Sequence, residues 1–166
     1  MKVTMRAAIR KNGFIADKDG NVKMWTSEAD KQFLEMKKKK SNLYIFASST
    51  YDAIKPKPEP GKMRVVMTTD PKRYADDHVD GQLHFESLTP SELIDKYRSW
   101  GNALLLGGGV AYEQFLEATD ANGAGIVDEA YITMEETATF TEGIPLLRSG
   151  RSFDSVARIE RESTGL

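Results

Sequence analysis

The segment that most restricts the fold of this chain is a short apolar run that leads directly into three consecutive glycines. Ala103–Leu106 shows no polar alternation, which is typical of a strand buried on both faces. Gly107-Gly108-Gly109 follows, and the pattern from Val110 to Ala118 predicts a helix. A buried strand that turns at once into a helix indicates an α/β layer fold with a mainly parallel sheet.

The rest of the chain continues this alternation of strands and helices. A helix is predicted from a cap at Thr26 or Ser27 to about Lys38, and a short helical turn over Thr50–Ile54. Thr89 as cap, with Pro90 and Glu92, opens a helix that runs on through Trp100. The predicted strands are Val3–Ile9, Leu43–Ala47, Arg64–Thr68, Gln82–Glu86, Ala103–Leu106, Glu129–Met134 and Phe153–Glu160.

Length and composition exclude several classes of protein. A chain of 166 residues fits one domain, which we expect to span residues 1–166. The net charge of −2 gives no basic excess for nucleic acid or an anionic membrane, so neither is expected as a partner. Without a signal peptide or an apolar span, a cytoplasmic location is expected.

Two features could carry chemistry. The glycine turn would let a pyrophosphate approach the first N–H groups of the following helix, but it could equally be a tight turn and nothing more. Asp30 borders the apolar stripe of Phe33 and Leu34, where a carboxylate would be partly desolvated. The pattern of Ser27 to Asp30 favours helix capping over catalysis at this position.

Other reactive groups offer little. The chain has no cysteine, so thiolate nucleophiles and cysteine zinc sites are excluded. His78 and His84 lack the spacing of a zinc motif and are expected to be structural or exposed. No metal site is therefore predicted.

A set of landmarks, in this order along most of the chain, resembles dihydrofolate reductases. The most specific are Leu106–Gly109 followed by Tyr112–Leu116, and the gap between Trp25 and Asp30. The others are Ala7-Ala8, Ile15, Thr50 and Tyr131-Ile132-Thr133. The segments 12–16 and 25–29 also resemble the related pyrimidine reductases of riboflavin synthesis. The resemblance implies a three-layer fold with helices on both faces of the sheet, and hydride transfer from NADPH to a pyrimidine-containing ring.

The resemblance also implies roles at the substrate. Asp30 would bind the pterin ring and promote its protonation, and Thr133 would hold the same edge of the ring. Ala8 would border the ring, while Phe33 and Leu34 would pack against it with Ile54 on the other side. Lys62 would replace an arginine that receives the substrate's carboxylate. Dihydrofolate is the expected substrate, and the ribosyl-aminopyrimidine of riboflavin synthesis and a non-catalytic nucleotide-binding module are the alternatives.

For the cofactor, the resemblance implies an extended site. Ala8 and Ile15 would border the nicotinamide, with the loop Gly13–Met24 as a lid. Thr68 and Thr69, with Lys72 and Arg73 near by, would contact the adenosine 2′-phosphate. The bridging phosphates would meet Ser49, Thr50, Leu106, Gly108, Gly109, Val110, Ala111 and Tyr112.

The chain also departs from the family pattern. Residues 47–50 (Ala-Ser-Ser-Thr) lack the usual Gly-Arg pair, and Val110 replaces a common arginine, so weaker cofactor binding is expected. The sequence stops at Leu166, where such folds continue into a last strand. A sheet edge left incomplete or completed by a second subunit is expected, and so is either a monomer or a homodimer.

Overall fold

A computed structural model describes residues 1–10, 14–17, 28–135 and 143–145. Within these ranges, residues 9–10, 14–17, 28–30, 134–135 and 143–145 are described by their backbone alone. No helix in these ranges has the length and apolar character needed to cross a membrane.

Eight strands and four α-helices make up the described fold. The strands are β1 (Val3–Arg10), β2 (Phe14–Asp17), β3 (Leu43–Ala47), β4 (Met63–Met67), β5 (Leu83–Glu86), β6 (Ala103–Gly107), β7 (Glu129–Glu135) and β8 (Gly143–Pro145). The helices are α1 (Glu28–Lys39), α2 (Ser48–Ile54), α3 (Pro90–Lys96) and α4 (Gly109–Glu117). Two 3₁₀ turns, Pro71–Tyr74 and Arg98–Trp100, connect them.

Six of the strands form one parallel sheet in the order β5-β4-β3-β6-β1-β7. The chain runs outward from β3 to β4 and β5, then returns to insert β6 between β3 and β1. From β6 it crosses β1 to reach β7. The neighbouring strands β3 and β6 are therefore followed by connections that run in opposite directions, from β3 towards β4 and from β6 towards β7. Such a reversal opens a crevice at the carboxyl ends of the two strands, which is where ligands bind in parallel α/β sheets.

Helices cover both faces of this sheet. Leu93 of α3 and Phe115 of α4 join the core of one face with Ile45 and Leu105. Leu34 of α1 lies on the other face. There it packs against Tyr44, Phe46 and Leu104, while Tyr51 of α2 packs against Val66 and Phe85. Because consecutive strand residues point to opposite faces, continuous apolar strands satisfy both cores. The predicted three-layer fold with a mainly parallel sheet is confirmed.

Two predictions about local structure were wrong. Part of the predicted loop over residues 12–23 is the strand β2, which pairs antiparallel with β8 more than a hundred residues later. The third helix does not run through Trp100 but ends at Lys96, because the backbone of Tyr97 leaves the helical region with φ −104° and ψ 14°. The predicted caps Thr26 and Ser27 and the predicted strand Phe153–Glu160 lie outside the described residues.

Candidate functional site

The glycine turn sits at the crevice and touches the first turn of α2. A Cβ atom on Gly108 would lie 3.1 Å from Thr50 Oγ1 and 3.9 Å from Ser49 Oγ. Gly107 is equally confined, since its Cβ would lie 3.3 Å from Thr50 Oγ1 and its φ of +138° favours glycine. The two predicted phosphate-binding segments, from the ends of β3 and β6, are therefore in direct contact.

Tyr112 anchors α4 beneath this turn. Its hydroxyl donates a hydrogen bond of 2.7 Å to the carbonyl oxygen of Arg6 on β1. Burial raises the pKa of Tyr112 far above its ordinary value, which keeps the hydroxyl protonated as a donor. Gly108 caps α4, so the first N–H groups of this helix begin at the crevice. Tyr112, Ala111 and Phe115 are buried, which makes them core residues beneath the crevice.

Most of the predicted site residues follow one edge of the sheet. Parallel strands have their carboxyl ends at the same edge. Across that edge, in spatial order, stand Thr68 and Thr69 after β4, Ser49 and Thr50 after β3, Gly107–Gly109 at the end of β6, Ala8 on β1 and Thr133 on β7. Neighbouring strands lie about 4.8 Å apart, so β4 and β7 are about 19 Å from each other. The edge is long enough for an extended ligand.

Thr68 and Thr69 differ in their surroundings. The hydroxyl oxygen of Thr68 accepts a hydrogen bond from the backbone N–H of Asp70. Thr69 is exposed, as are Lys72 and Arg73 in the following 3₁₀ turn. Arg73 lies 3.9 Å from Asp52, an exposed pair that leaves the guanidinium open to solvent. This end of the edge carries the cations predicted for a phosphate.

Ala8 and Thr133 are direct neighbours. The register of β1 and β7 pairs Ala8 with Thr133 and Arg6 with Tyr131. Residues paired in a sheet share a face, and these four lie on the face that α1 covers. Ala8 is buried and Thr133 half-buried, so both are close to the crevice without being deep in the core.

Helix α1 packs over this corner of the sheet through an aromatic contact. The rings of Phe33 and Tyr131 have centroids 5.4 Å apart, and Lys37 Nζ lies 3.7 Å from the centroid of Tyr131. Leu34, the next residue, packs with Leu106 on the apolar cluster of β3 and β6. Phe33 thus packs over β7 and Leu34 over β3 and β6, on the same face of the sheet.

Lys62 lies at the other end of α1. Its ammonium donates hydrogen bonds to the carbonyl oxygen of Ser41 at 2.8 Å and to Asn42 Oδ1 at 3.2 Å. The hydroxyl of Tyr44 beneath it donates to the carbonyl oxygen of Lys38, in the last turn of α1. A lysine ammonium has three donors, so one remains for a ligand.

Some predicted residues are not brought into this arrangement. Ile54 and Val110 expose 46% and 43% of their surface. Neither takes part in the contact between Phe33 and Tyr131 or in the contact between the glycine turn and Thr50. Asp30 lies in the first turn of α1 and Ile15 in β2, but their side chains are outside the described part of the structure. So is most of the predicted lid from Gly13 to Met24.

Sequence reasoning missed two residues of the corner. Arg6 lies two positions before Ala8 on the same face, and the period of two along a strand could have revealed it. Lys37 was interpreted as part of a solvated basic run, but its spacing of four from Phe33 places both on one side of α1.

Solved structures of two kinds of enzyme share this fold. A diaminohydroxyphosphoribosylaminopyrimidine deaminase/5-amino-6-(5-phosphoribosylamino)uracil reductase from Thermotoga maritima matches with a TM-score of 0.69 at 16% identity, over 95% of this chain and 50% of that chain. A riboflavin biosynthesis protein from Shewanella sp. PV-4 matches with a TM-score of 0.63 at 20% identity, over 89% of this chain and 83% of that one. A dihydrofolate reductase from Enterococcus faecalis, complexed with NADP(H) and RAB-propyl, matches with a TM-score of 0.58 at 19% identity, over 87% and 76% of the two chains.

These likenesses show the fold of the chain. It is the dihydrofolate reductase-like α/β fold, as the sequence predicted. The match covers 50% of the Thermotoga enzyme, so this chain spans about half of its length. No protein-family model and no curated protein sequence matches it.

Proposed function

We propose that this protein is an NADPH-dependent reductase of a pyrimidine-containing ring, with dihydrofolate as its substrate. One observation carries the proposal: the glycine turn contacts Ser49 and Thr50 at the reversal of the sheet, in line with the pair Ala8 and Thr133. Two different ligands laid end to end along this edge would meet at β1. That is the arrangement that hydride transfer between a dinucleotide and a ring requires.

The residues at the crevice fit a dinucleotide phosphate. The absence of side chains at Gly107 and Gly108 lets Thr50 and Ser49 approach the turn closely, so two hydroxyl groups stand beside its backbone. The N-terminal N–H groups of α4 supply the positive end of a helix dipole. NADPH bound here would supply the hydride. Thr68, Thr69, Lys72 and Arg73 are the residues that we propose for its 2′-phosphate.

Asp30 is the residue that we propose for promoting protonation of the substrate ring. It precedes Phe33 and Leu34 by three and four residues, the spacing of neighbours on one side of a helix. That side of α1 packs on the sheet beside Ala8 and Thr133. Asp30 would bind the amino and amide edge of the ring, with Thr133, and promote protonation of the ring nitrogen through water.

The second candidate is reduction of the ribosyl-aminopyrimidine in riboflavin synthesis. The TM-scores of 0.69 and 0.63 to the two riboflavin-pathway proteins exceed the 0.58 to dihydrofolate reductase, which favours it. Dihydrofolate is supported by Lys62, which stands at the far end of α1 with a donor to spare for a carboxylate tail. The two substrates differ at that end, since one carries a glutamate and the other a ribose phosphate.

The test is NADPH oxidation, followed by absorbance, with each of the two substrates in the same assay. We expect turnover with dihydrofolate, and in Asp30→Asn we expect kcat to fall at least a hundredfold, the usual range for loss of a general acid. NADPH affinity should be unchanged in that variant, because Asp30 is proposed to act on the other ligand.

Asp52→Asn is the matched control. Asp52 is an exposed carboxylate on α2 that pairs with Tyr74 and Arg73, so its loss should leave kcat near the wild-type value. Turnover with the ribosyl-aminopyrimidine alone would select the second candidate. Equal turnover in the wild type and Asp30→Asn would contradict both assignments of catalysis, and NADPH binding without any turnover would indicate a nucleotide-binding module.

A further inference from the structure

We propose that His78, Asp80 and His84 form a binding site for a divalent transition-metal ion of the zinc, nickel and copper group. One ligand atom from each of the three residues lies within 4.8 Å of the other two. Two imidazoles and a carboxylate suit these ions better than magnesium or calcium, which prefer oxygen ligands alone. The site belongs to neither the crevice nor the proposed reaction.

A tight turn brings the three residues together. Val79 and Leu83 form an antiparallel bridge, with Leu83 N–H donating to Val79 O at 2.8 Å and Val79 N–H donating back at 3.0 Å. Gly81 makes the turn with a φ of +72°. His78 and His84 flank the bridge on either side and become cross-strand neighbours, with ring centroids 4.7 Å apart. The sequence signal for this turn is the dipeptide Asp80-Gly81.

Hydrogen bonds fix the tautomer of His84 that a metal needs. The hydroxyl of Tyr97 donates its only hydrogen to Glu86 Oε1, at 2.5 Å. The hydroxyl oxygen of Tyr97 lies 2.9 Å from His84 Nδ1, so this oxygen accepts the hydrogen bond and Nδ1 carries the proton. Nε2 then holds a lone pair, and Gly81 N–H points at it from 3.3 Å.

This chain of contacts matches the support that metal-binding histidines have in proteins. Their second nitrogen usually donates to a carboxylate or another acceptor, which holds the ring in position. Here Tyr97, directly after α3, and Glu86 on β5 supply that support, and Lys96 bonds to Glu86 at 2.6 Å. The long hydrogen bond from Gly81 is the one contact of His84 that a metal would replace.

His78 and Asp80 would complete the site from the loop. His78 Nε2 lies 2.8 Å from Asp80 Oδ1, and the Asp80 side chain is 98% exposed and can move freely. In a tetrahedral zinc site, with bonds of about 2.0–2.1 Å, ligand atoms stand about 3.3 Å apart. His78 and Asp80 would have to move to reach this geometry, and both side chains are exposed. Three protein ligands leave a fourth position to water.

The bound ion would fasten a loop to an edge strand. His84 belongs to β5, the outermost strand of the sheet, near its amino end, and His78 and Asp80 belong to the loop before it. The candidate crevice lies at the carboxyl ends of the central strands. A metal here should therefore stabilise the fold without changing kcat or NADPH affinity.

The test is titration of the tag-free, chelator-treated protein with zinc chloride in a calorimeter. The chain has only two histidines and no cysteine, so imidazole ligation can come from this site alone. We expect one zinc per chain with micromolar or tighter affinity, a rise of several degrees in Tm with zinc, and no comparable binding of magnesium chloride. His78→Ala, His84→Ala and Asp80→Asn should each weaken zinc binding at least tenfold, and Asp76→Asn, an exposed carboxylate of the same loop, should not.

Two variants, His78→Ala and the additional Tyr97→Phe, make the result decisive. His84 is half-buried and its loss could disturb the fold, whereas His78 is exposed, so His78→Ala decides if His84→Ala does not fold. Tyr97→Phe removes the acceptor of His84 Nδ1 and should weaken zinc binding about tenfold while both imidazoles remain. Zinc that does not saturate the wild type, or binds His78→Ala as tightly, would overturn the proposal.

Discussion

Gly108 shows how closely the two halves of the candidate crevice approach each other. A methyl group on this residue would meet Thr50 Oγ1 at 3.1 Å, which is tighter than ordinary contact. Its φ of −95° is accessible to other residues, so the obstacle is the neighbour rather than the backbone. We expect Gly108→Ala to lower the free energy of unfolding by about 1–3 kcal/mol, the usual cost of overpacking, as measured by urea denaturation.

A second substitution tests that cause. Thr50→Ala removes the hydroxyl, so the double variant Gly108→Ala with Thr50→Ala should regain most of the stability lost in Gly108→Ala. The coupling between the two sites should exceed about 0.5 kcal/mol, the level above which contacts are recognised in double-mutant cycles. Strictly additive effects would show that Gly108 and Thr50 do not touch. NADPH affinity should be lower than in the wild type both in Gly108→Ala and in the double variant, because Gly108 and Thr50 are proposed to face the phosphates.

The helix α3 supports the sheet from the face opposite α1. Thr89 caps it, since its hydroxyl oxygen accepts a hydrogen bond from the N–H of Glu92 at 3.3 Å, as the sequence predicted. Thr89→Ala should cost about 1 kcal/mol of stability, measured by thermal or urea unfolding, while Thr89→Ser keeps the capping hydroxyl and should leave the stability close to that of the wild type. Because no residue of α3 is proposed to contact the substrate or NADPH, kcat and KM should not change. A change in KM in a fully folded Thr89→Ala protein would contradict this separation.

At the scale of elements, local signals were predictable from the sequence and distant pairings were not. The cap at Thr89 and the continuous apolar runs of β3 and β6 are signals in adjacent residues, and both predictions are confirmed. The pairing of β2 with β8 joins segments far apart in the chain, which a period of two in four residues cannot reveal. The end of α3 is set by Tyr97, which leaves the helix where its hydroxyl meets Glu86 and His84.

The candidate site divides in the same way. The glycine turn was predictable because three consecutive glycines between a strand and a helix indicate a tight turn from adjacent residues alone. Its contact with Thr50 depends on β6 returning between β3 and β1, an order that the resemblance implied and that spacing alone does not contain. The stacking of His78 on His84 was missed, although the Asp80-Gly81 turn between them is a local signal.

At the scale of the whole molecule, α1 sets the length of the substrate that the protein would reduce. The helix has 12 residues, and the eight steps from Asp30 to Lys38 span about 12 Å. Asp30 would hold the ring at one end, and Lys62 lies beside the other end through Ser41 and Tyr44. A ring with a carboxylate tail fits this distance between acid and cation, whereas a bare ring reaches the acid alone.

Lys62→Ala should therefore separate substrates by their tails. We expect KM for dihydrofolate to rise about tenfold, equivalent to ~1.4 kcal/mol, and KM for a dihydropterin without the glutamate to stay unchanged. Lys57→Ala, an exposed lysine in the same connection between α2 and β4, is the control and should leave both values unchanged. The ammonium of Lys62 also holds the start of β3, so unfolding must be measured alongside KM. An equal rise in KM for both substrates would mean that Lys62 shapes the sheet instead of receiving the tail.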